Sequence, residues 1–225
     1  NIMGTINFLE NIRTINKKII FIYSSSDKAY GELKNRKDYK EGDSLDSTYP
    51  YDVSKSSSDL ICQSYSKTYS MKVGIIRCGN IYGPGDFNLK RLIPEVILST
   101  IEKKNFIIRS DGKSTRDYVY VEDVADAYLK LFRKIKNSKN KLNIYNVSSK
   151  FNYSVLQIVN MILKKMNNLK LKPIVLNNSK QELNFQRLNY SKIKRELKWK
   201  PKTDIEVGLR KTIDWYIKFY KFLKK

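Results

Sequence analysis

Two short apolar runs constrain this chain most. Lys18–Ser24 (Lys-Ile-Ile-Phe-Ile-Tyr-Ser) and Met71–Arg77 (Met-Lys-Val-Gly-Ile-Ile-Arg) are of strand length and almost continuously apolar. A strand with one wet face alternates. A continuous run is covered on both faces, as in a parallel sheet inside an α/β domain. Helical spacing surrounds these runs. Residues 1–16 place Ile2, Ile6, Leu9 and Ile12 on one stripe, and Tyr51–Ser70 turns Leu60, Ile61 and Tyr65 inward. The order strand, helix, strand predicts right-handed parallel crossovers. Ligands of open α/β sheets bind beyond the carboxyl ends of the strands. The first run ends in Ser24, Ser25 and Ser26, so chemistry is expected at that polar edge.

The rest of the chain is read in the same way. Gly31 to Pro50 is polar and reads as a long loop, a length usually tied to function. Cys78–Gly85 is turn-rich. A helix is expected from about Leu92 to Lys103, with Pro94 in its first turn. Short strands are expected at Phe106–Arg109, Tyr118–Val121, Leu142–Val147 and Pro173–Leu176. Helices are expected at Asp123–Lys134, Ser154–Met166 with Ser154 as cap, Ser191–Leu197 and Asp204–Phe222. The expected architecture is α/β: a partial Rossmann sheet, doubly wound and parallel, over residues 1–80. A smaller mixed lobe over 81–225 would bind substrate and return some segments to the sheet.

Composition narrows the function classes. Of 225 residues, 41% are apolar, enough for a packed core. The net charge of +22 suggests nucleic acid at first sight. The lysines, however, are spread over every segment and form no stripe with interleaved aromatics, so no nucleic-acid partner is expected, and an anionic small ligand fits the charge as well. There is no His, which excludes a His-based zinc site or a Ser-His-Asp triad within the chain. No metal is expected. Cys62 and Cys78 resemble no disulfide framework, which points to a reducing, cytoplasmic setting. No run approaches a membrane span, and no membrane partner is expected. The chain opens at Asn1 inside a helical pattern, as the C-terminal piece of a longer protein would.

Tyr51 and Lys55 are four apart on a helix and share a face. A phenol titrates near 10, and an ammonium within about 4–6 Å favours the phenolate. The pair can therefore make Tyr51 a general base. With 16 Tyr and many Lys in the chain, the spacing alone is weakly specific.

Context adds specificity. Ser25-Ser26-Asp27-Lys28-Ala29-Tyr30-Gly31, Tyr49-Pro50-Tyr51-Asp52-Val53-Ser54-Lys55 and Arg77-Cys78-Gly79-Asn80-Ile81-Tyr82-Gly83-Pro84-Gly85 follow in order. So do Ser114-Thr115-Arg116-Asp117-Tyr118-Val119-Tyr120-Val121-Glu122-Asp123-Val124 and Trp199-Lys200-Pro201. Together they resemble the extended short-chain dehydrogenase/reductases, the NAD-dependent sugar-nucleotide epimerases and dehydratases, over nearly the whole chain. The resemblance implies roles. Tyr51 would take a proton from a hexose hydroxyl as hydride passes to NAD. Lys55 would lower the Tyr51 pKa and bind the nicotinamide ribose, with Ser24 and Cys78 also at the cofactor. Ser26 would hydrogen-bond the reacting hydroxyl. Asn80 and Arg116 would hold the substrate pyrophosphate, Arg116 through its fork. Leu92 and Ile93 would line the base pocket of a nucleoside-diphosphate sugar.

Asp27 and Lys28 point further. A 4,6-dehydratase must also remove water across C5 and C6, which needs an acid and a base. Asp27 as acid and Lys28 as base would supply them. The Asp-Lys pair resembles the CDP-glucose 4,6-dehydratases and the inverting UDP-N-acetylglucosamine 4,6-dehydratases. The long gap from Asp27 to Tyr51 favours the CDP-glucose type. A 4-epimerase is the alternative within the family, and a non-catalytic nucleotide-sugar-binding fragment the alternative outside it. The family's Gly-rich NAD turn is not in the chain, so poor NAD binding by this piece alone is expected. A homodimer through helices 1–16 and 51–70 is implied by the resemblance.

Overall fold

The computed structural model describes residues 1–32, 38–178 and 186–223. α1 (Ile2–Ile15) leads into β1 (Phe21–Ser26), which passes directly into a single 3-10 turn, Asp27–Tyr30. A long connection reaches α2 (Pro50–Tyr69), then β2 (Val73–Cys78) and β3 (Asn80–Tyr82). α3 (Leu92–Ile101), β4 (Ile107–Ile108), β5 (Thr115–Tyr120), α4 (Val121–Asn137) and β6 (Leu142–Val147) follow. β7 (Asn152–Ser154), α5 (Val155–Lys165), β8 (Ile174–Val175), α6 (Ser191–Leu197) and α7 (Ile205–Leu223) complete the order.

β1, β2 and β6 form a parallel sheet in that order. Both faces are covered, as the continuous runs require. Ile75 joins Leu9, Cys62 and Met71 under α1 and α2. The next residue, Ile76, joins Leu131, Ile135 and Val147 under α4. The register aligns the strand ends: Ser25, Arg77 and Asn146 share one row, and Ser26, Cys78 and Val147 the next.

The later part of the chain is mixed. β3 pairs with β5 in parallel, β5 with β7 antiparallel, and β4 with β8 in parallel. α3, α5 and α7 pack over this part through Val96, Ile97, Ile158, Ile162, Leu209 and Ile213. α5 opens with a capping box: Ser154 Oγ accepts from Gln157 N, and Gln157 Oε1 accepts from Ser154 N.

Several boundaries differ from expectation. β1 starts at Phe21 and not Lys18, and runs through Ser25 and Ser26, which pair with Arg77 and Cys78 despite their polarity. β2 starts at Val73 and not Met71. α3 stops at Ile101, and α4 begins at Val121, before Asp123. Asp123 is instead an anchor: its Oδ2 accepts from Lys202 N and Thr203 N, and its carbonyl accepts from Trp199 Nε1. The expected strands at 106–109 and 173–176 shrink to Ile107–Ile108 and Ile174–Val175.

The connection from Gly31 to α2 contains no named helix or strand among its described residues, and 33–37 lie outside them. It is nevertheless pinned. Gly31 bridges Asp46 with φ 80°, and a Cβ there would sit 1.9 Å from the Asp46 carbonyl oxygen. Tyr39 bridges Leu188 and stacks on Tyr30, with centroids 4.5 Å apart. Beneath it lies an ion pair. Arg77 Nε and Nη2 each donate at 2.9 Å to Asp59 of α2, and Nη1 donates to Tyr30 OH and the Glu41 carbonyl. Tyr30 OH in turn donates to Asn146 Oδ1 at 2.8 Å. The network ties α2, β2, β6 and the loop into one body.

Candidate active site

The end of β1 meets the first turn of α2. Pro50 opens that helix with its φ already set, so Tyr51 and Lys55 stand on its first turns. Lys55 Nζ donates to the Ser24 carbonyl at 2.8 Å and lies 5.3 Å from the Tyr23 ring centre. Helix and strand end are thereby joined at the expected place. Ser26 caps the 3-10 turn: its Oγ accepts from Lys28 N at 3.3 Å and donates to Asp27 Oδ1 at 3.0 Å.

A cleft of about 580 Å³ opens here. Ser24, Ser26, Lys28, Tyr51, Lys55, Cys78 and Asn80, all singled out from sequence, line it together. A smaller hollow of about 140 Å³ carries Leu92 and Ile93, and shares Asn80, Ile81 and Arg91 with the cleft. Asp27 and Arg116 line neither wall. Asp27 is 3% exposed beneath it, and Arg116 is buried in β5 with its Nη1 on the Thr115 carbonyl. The cleft also contains residues that the sequence reading passed over: Ser25, Tyr49, Asp52 and Arg91. Asp52 carried one signal, a carboxylate in the helical turn opened by Tyr51. Arg91 carried only its place before Leu92.

The electrostatics depart from expectation at Tyr51. Its phenol is held above the ordinary value, first by burial and further by Asp27 and Asp52, while Arg91 pulls it down. Lys55 does not lower it here, because its ammonium is turned onto the Ser24 carbonyl. Burial also lowers the Lys55 pKa. Asp27 is raised by burial, against the pull of the Ser26 hydroxyl, Lys28 and Arg116. Asp52 is raised by burial and eased down by Lys28. Behind the cleft, Asp117 of β5 is pushed up to about 6 by burial, although Ser149 N and Oγ donate to its Oδ1. Cys78 is raised well above a usual thiol, so it is a wall and not a nucleophile.

Among the described residues, one buried polar atom on the wall has no partner: Ser25 Oγ. A hydroxyl-rich group suits that position, since a bound hydroxyl can meet Ser25 Oγ while Lys55 faces it from the helix. The phenol, the serine hydroxyl, the cations and the carboxyls are groups able to exchange protons with a hydroxyl-bearing ligand. Among the described residues no group of His, Cys, Asp and Glu could hold a metal ion. No described helix is long and apolar enough to cross a membrane.

Known proteins resemble the chain throughout. A family model described as GDP-mannose 4,6 dehydratase matches residues 1–212. A probable dTDP-glucose 4,6-dehydratase of Sinorhizobium fredii is 29% identical over 96% of the chain, which spans 65% of that relative. The crystal structure of dTDP-glucose 4,6-dehydratase from Bacillus anthracis in complex with NAD superposes with a TM-score of 0.89 at 28% identity, over 99% of this chain and 69% of that one. UDP-glucose 4-epimerase of Thermotoga maritima, with UDP-glucose, superposes at 0.87 and 26% identity, over 97% and 70%.

Proposed function

The chain belongs to the family described as GDP-mannose 4,6 dehydratase, and from that premise we propose that it acts as an NAD-dependent sugar-nucleotide 4,6-dehydratase. The observation that carries the reading is the cleft itself. Ser26, Lys28, Tyr51 and Lys55 line one wall, with Asp27 directly beneath. The residues present fit the nicotinamide-ribose end of NAD. Ser25 Oγ is an unpartnered hydroxyl on the wall, and Lys55 Nζ is fixed beside Ser24. When bound, NAD supplies the acceptor and later the donor of a hydride.

The protein's own groups do the rest. Ser26 Oγ holds the C4 hydroxyl, and Tyr51 takes its proton. Arg91 is the cation that favours the phenolate of Tyr51. Asp27, whose pKa burial raises, is the proton donor for the departing C6 hydroxyl. Lys28 stands on the wall beside it, at the step that frees the C5 proton. Asn80 lies where cleft and hollow join, the place for a substrate pyrophosphate, and Leu92 and Ile93 line the hollow for a base. Arg116 reaches that pyrophosphate only if its buried fork turns outward. Two wider features go with this reading. The outward faces of α1 and α2 carry exposed Met3, Phe8, Val53 and Leu60, which suits a homodimer through those helices. The thiols Cys62 and Cys78 are both free, which suits a cytoplasmic enzyme.

The test is direct. Protein carrying this chain, supplied with NAD, is incubated in turn with CDP-glucose, dTDP-glucose, UDP-glucose and GDP-mannose. A 4-keto-6-deoxy sugar nucleotide is expected from one of them. A 4-epimer with no 4-keto product makes the protein an epimerase instead. Nucleotide-sugar binding without turnover makes it a binding protein.

A further inference from the structure

We propose that Asp52 is a catalytic residue, the carboxylate that takes the C5 proton of the 4-keto sugar, in the cleft that Lys28 also lines. This rests on the dehydratase reading above and reassigns one step of it.

Asp52 directly follows Tyr51 in the first turn of α2 and lines the same cleft wall as Lys28. Its side chain is 3% exposed, and among the described residues its carboxylate takes no hydrogen bond. A carboxylate at a cleft wall, shielded from bulk water and engaged by no hydrogen bond, is a better base than one in open water. Asp27, by contrast, lies beneath the wall and already accepts from Ser26. Lys28 is close enough to Asp52 for its charge to favour the carboxylate. Asp52 thus brings to the cleft a carboxylate that no hydrogen bond among the described residues engages. The other charged or titratable groups around it are Asp27 from the 3-10 turn, Tyr49, Tyr51 and Lys55 beside or on α2, and Arg91 ahead of α3.

The step balances. The C5–H bond breaks and its proton goes to Asp52. The electron pair becomes the second bond between C5 and C6 as the C6–O bond breaks. The departing hydroxide takes the Asp27 proton and leaves as water. Hydride then returns to C6, and Asp52 gives its proton back to C5. The proton left on Tyr51 restores Asp27 through solvent, and the cofactor ends as it began.

The experiment runs the reaction in deuterium oxide with NAD and, in turn, CDP-glucose, dTDP-glucose, UDP-glucose and GDP-mannose. It follows deuterium at C5 by NMR and the transient reduced cofactor by its absorbance. Asp52→Asn is expected to cut the C5 wash-in by about 100-fold or more while the reduced cofactor still appears, and Asp52→Glu to restore part of the rate. Lys28→Met is expected to lower the wash-in by less. The wild-type rate should rise with pH through an acidic limb placed above the ordinary carboxylate value. If Lys28→Met removes the wash-in and Asp52→Asn keeps it, Lys28 is the base and the proposal is wrong. Loss of both signals in equal proportion in Asp52→Asn would mean a structural role only, and also overturns it. A second measurement needs no turnover: the Asp52 carboxyl carbon is titrated by NMR. Its midpoint should rise in Lys28→Met, and an unchanged midpoint breaks the pairing. If the wild type yields no reduced cofactor and no 4-keto sugar, the dehydratase reading has failed, and the titration still judges the pair.

Discussion

Two polar clusters sit within one residue of each other at the carboxyl edge of the β1–β2–β6 sheet, and they are handled in opposite ways. In the row of Ser25, Arg77 and Asn146, the Arg77 side is closed. Its guanidinium meets Asp59, Tyr30 and the Glu41 carbonyl, and Asn146 accepts from Tyr30 OH and donates to the Tyr39 carbonyl. On the cleft side of the same row, Ser25 Oγ has no partner among the described residues, and Asp52 and Tyr51 line the cleft. Similar residue types are spent on rigidity in one place and left available in the other. Unmet polar capacity at a wall marks where a ligand is to supply the missing partners, since a buried polar group left unpaired costs about 1–3 kcal/mol.

The sharpest way to break this contrast is on the closed side. Asp59→Ala leaves the Arg77 charge buried and alone, with side-chain exposures of 2% and 0% for the pair. A loss of about 3–5 kcal/mol is expected in denaturant unfolding. Asp59→Leu with Arg77→Met should recover most of it, because an apolar pair needs no partner. Recovery would show that the pair serves position and not net stability. Tyr51→Phe on the open side should do the reverse. Turnover is expected to fall about 10²–10⁴-fold, with stability within about 0.5 kcal/mol, since Tyr51 is 53% exposed. A large unfolding shift there would erase the distinction.

Asp117 lies between the two cases: it is buried in β5, yet Oδ1 accepts from Ser149 N and Oγ, and the Ser148 hydroxyl also pulls its pKa down. Its folded pKa of about 6 is above the ordinary 3.8. The folded state therefore holds a proton that the unfolded state has released. Stability is fully present below the unfolded value and falls as pH rises through the folded one. A loss of up to about 3 kcal/mol is expected across that window. Asp117→Asn should flatten the slope, and an unchanged slope would place the proton elsewhere.

Much of the fold was legible because apolar runs and helical stripes are local signals. The parallel pairing of β1 with β2 and the mixed later lobe followed from them. The strand ends were not legible. Ser25 and Ser26 belong to β1 only because Arg77 and Cys78 lie beside them, and pairing across some 50 residues leaves no local trace. Tyr51, Lys55, Ser26, Lys28 and Asn80, all expected from sequence, line one cleft. The direction of the Tyr51 shift was not legible because it is set by burial and by Asp27 and Asp52, which only the folded chain brings together. Asp52 was missed because helical spacing draws attention to positions 51 and 55. The Arg77–Asp59 pair was invisible, since either residue alone reads as an ordinary surface charge. Family membership could be read from ordered motifs. The hollow near Leu92 could not, because it takes its shape from packing.

The pinned loop also sets an order of events. Glu41 is held by Asn146, 105 residues later, and Asp38 by Arg187, 149 residues later. Tyr39 receives its bridge from Leu188. Contacts so far apart in the chain close slowly. As the protein emerges from the ribosome, α2 and β2 can pack on β1 early. The rim over the sheet end must wait until the last quarter of the chain arrives. The site is therefore among the last parts to mature, and a nascent chain stalled before Arg187 would hold Tyr51 and Lys55 in an unfinished frame.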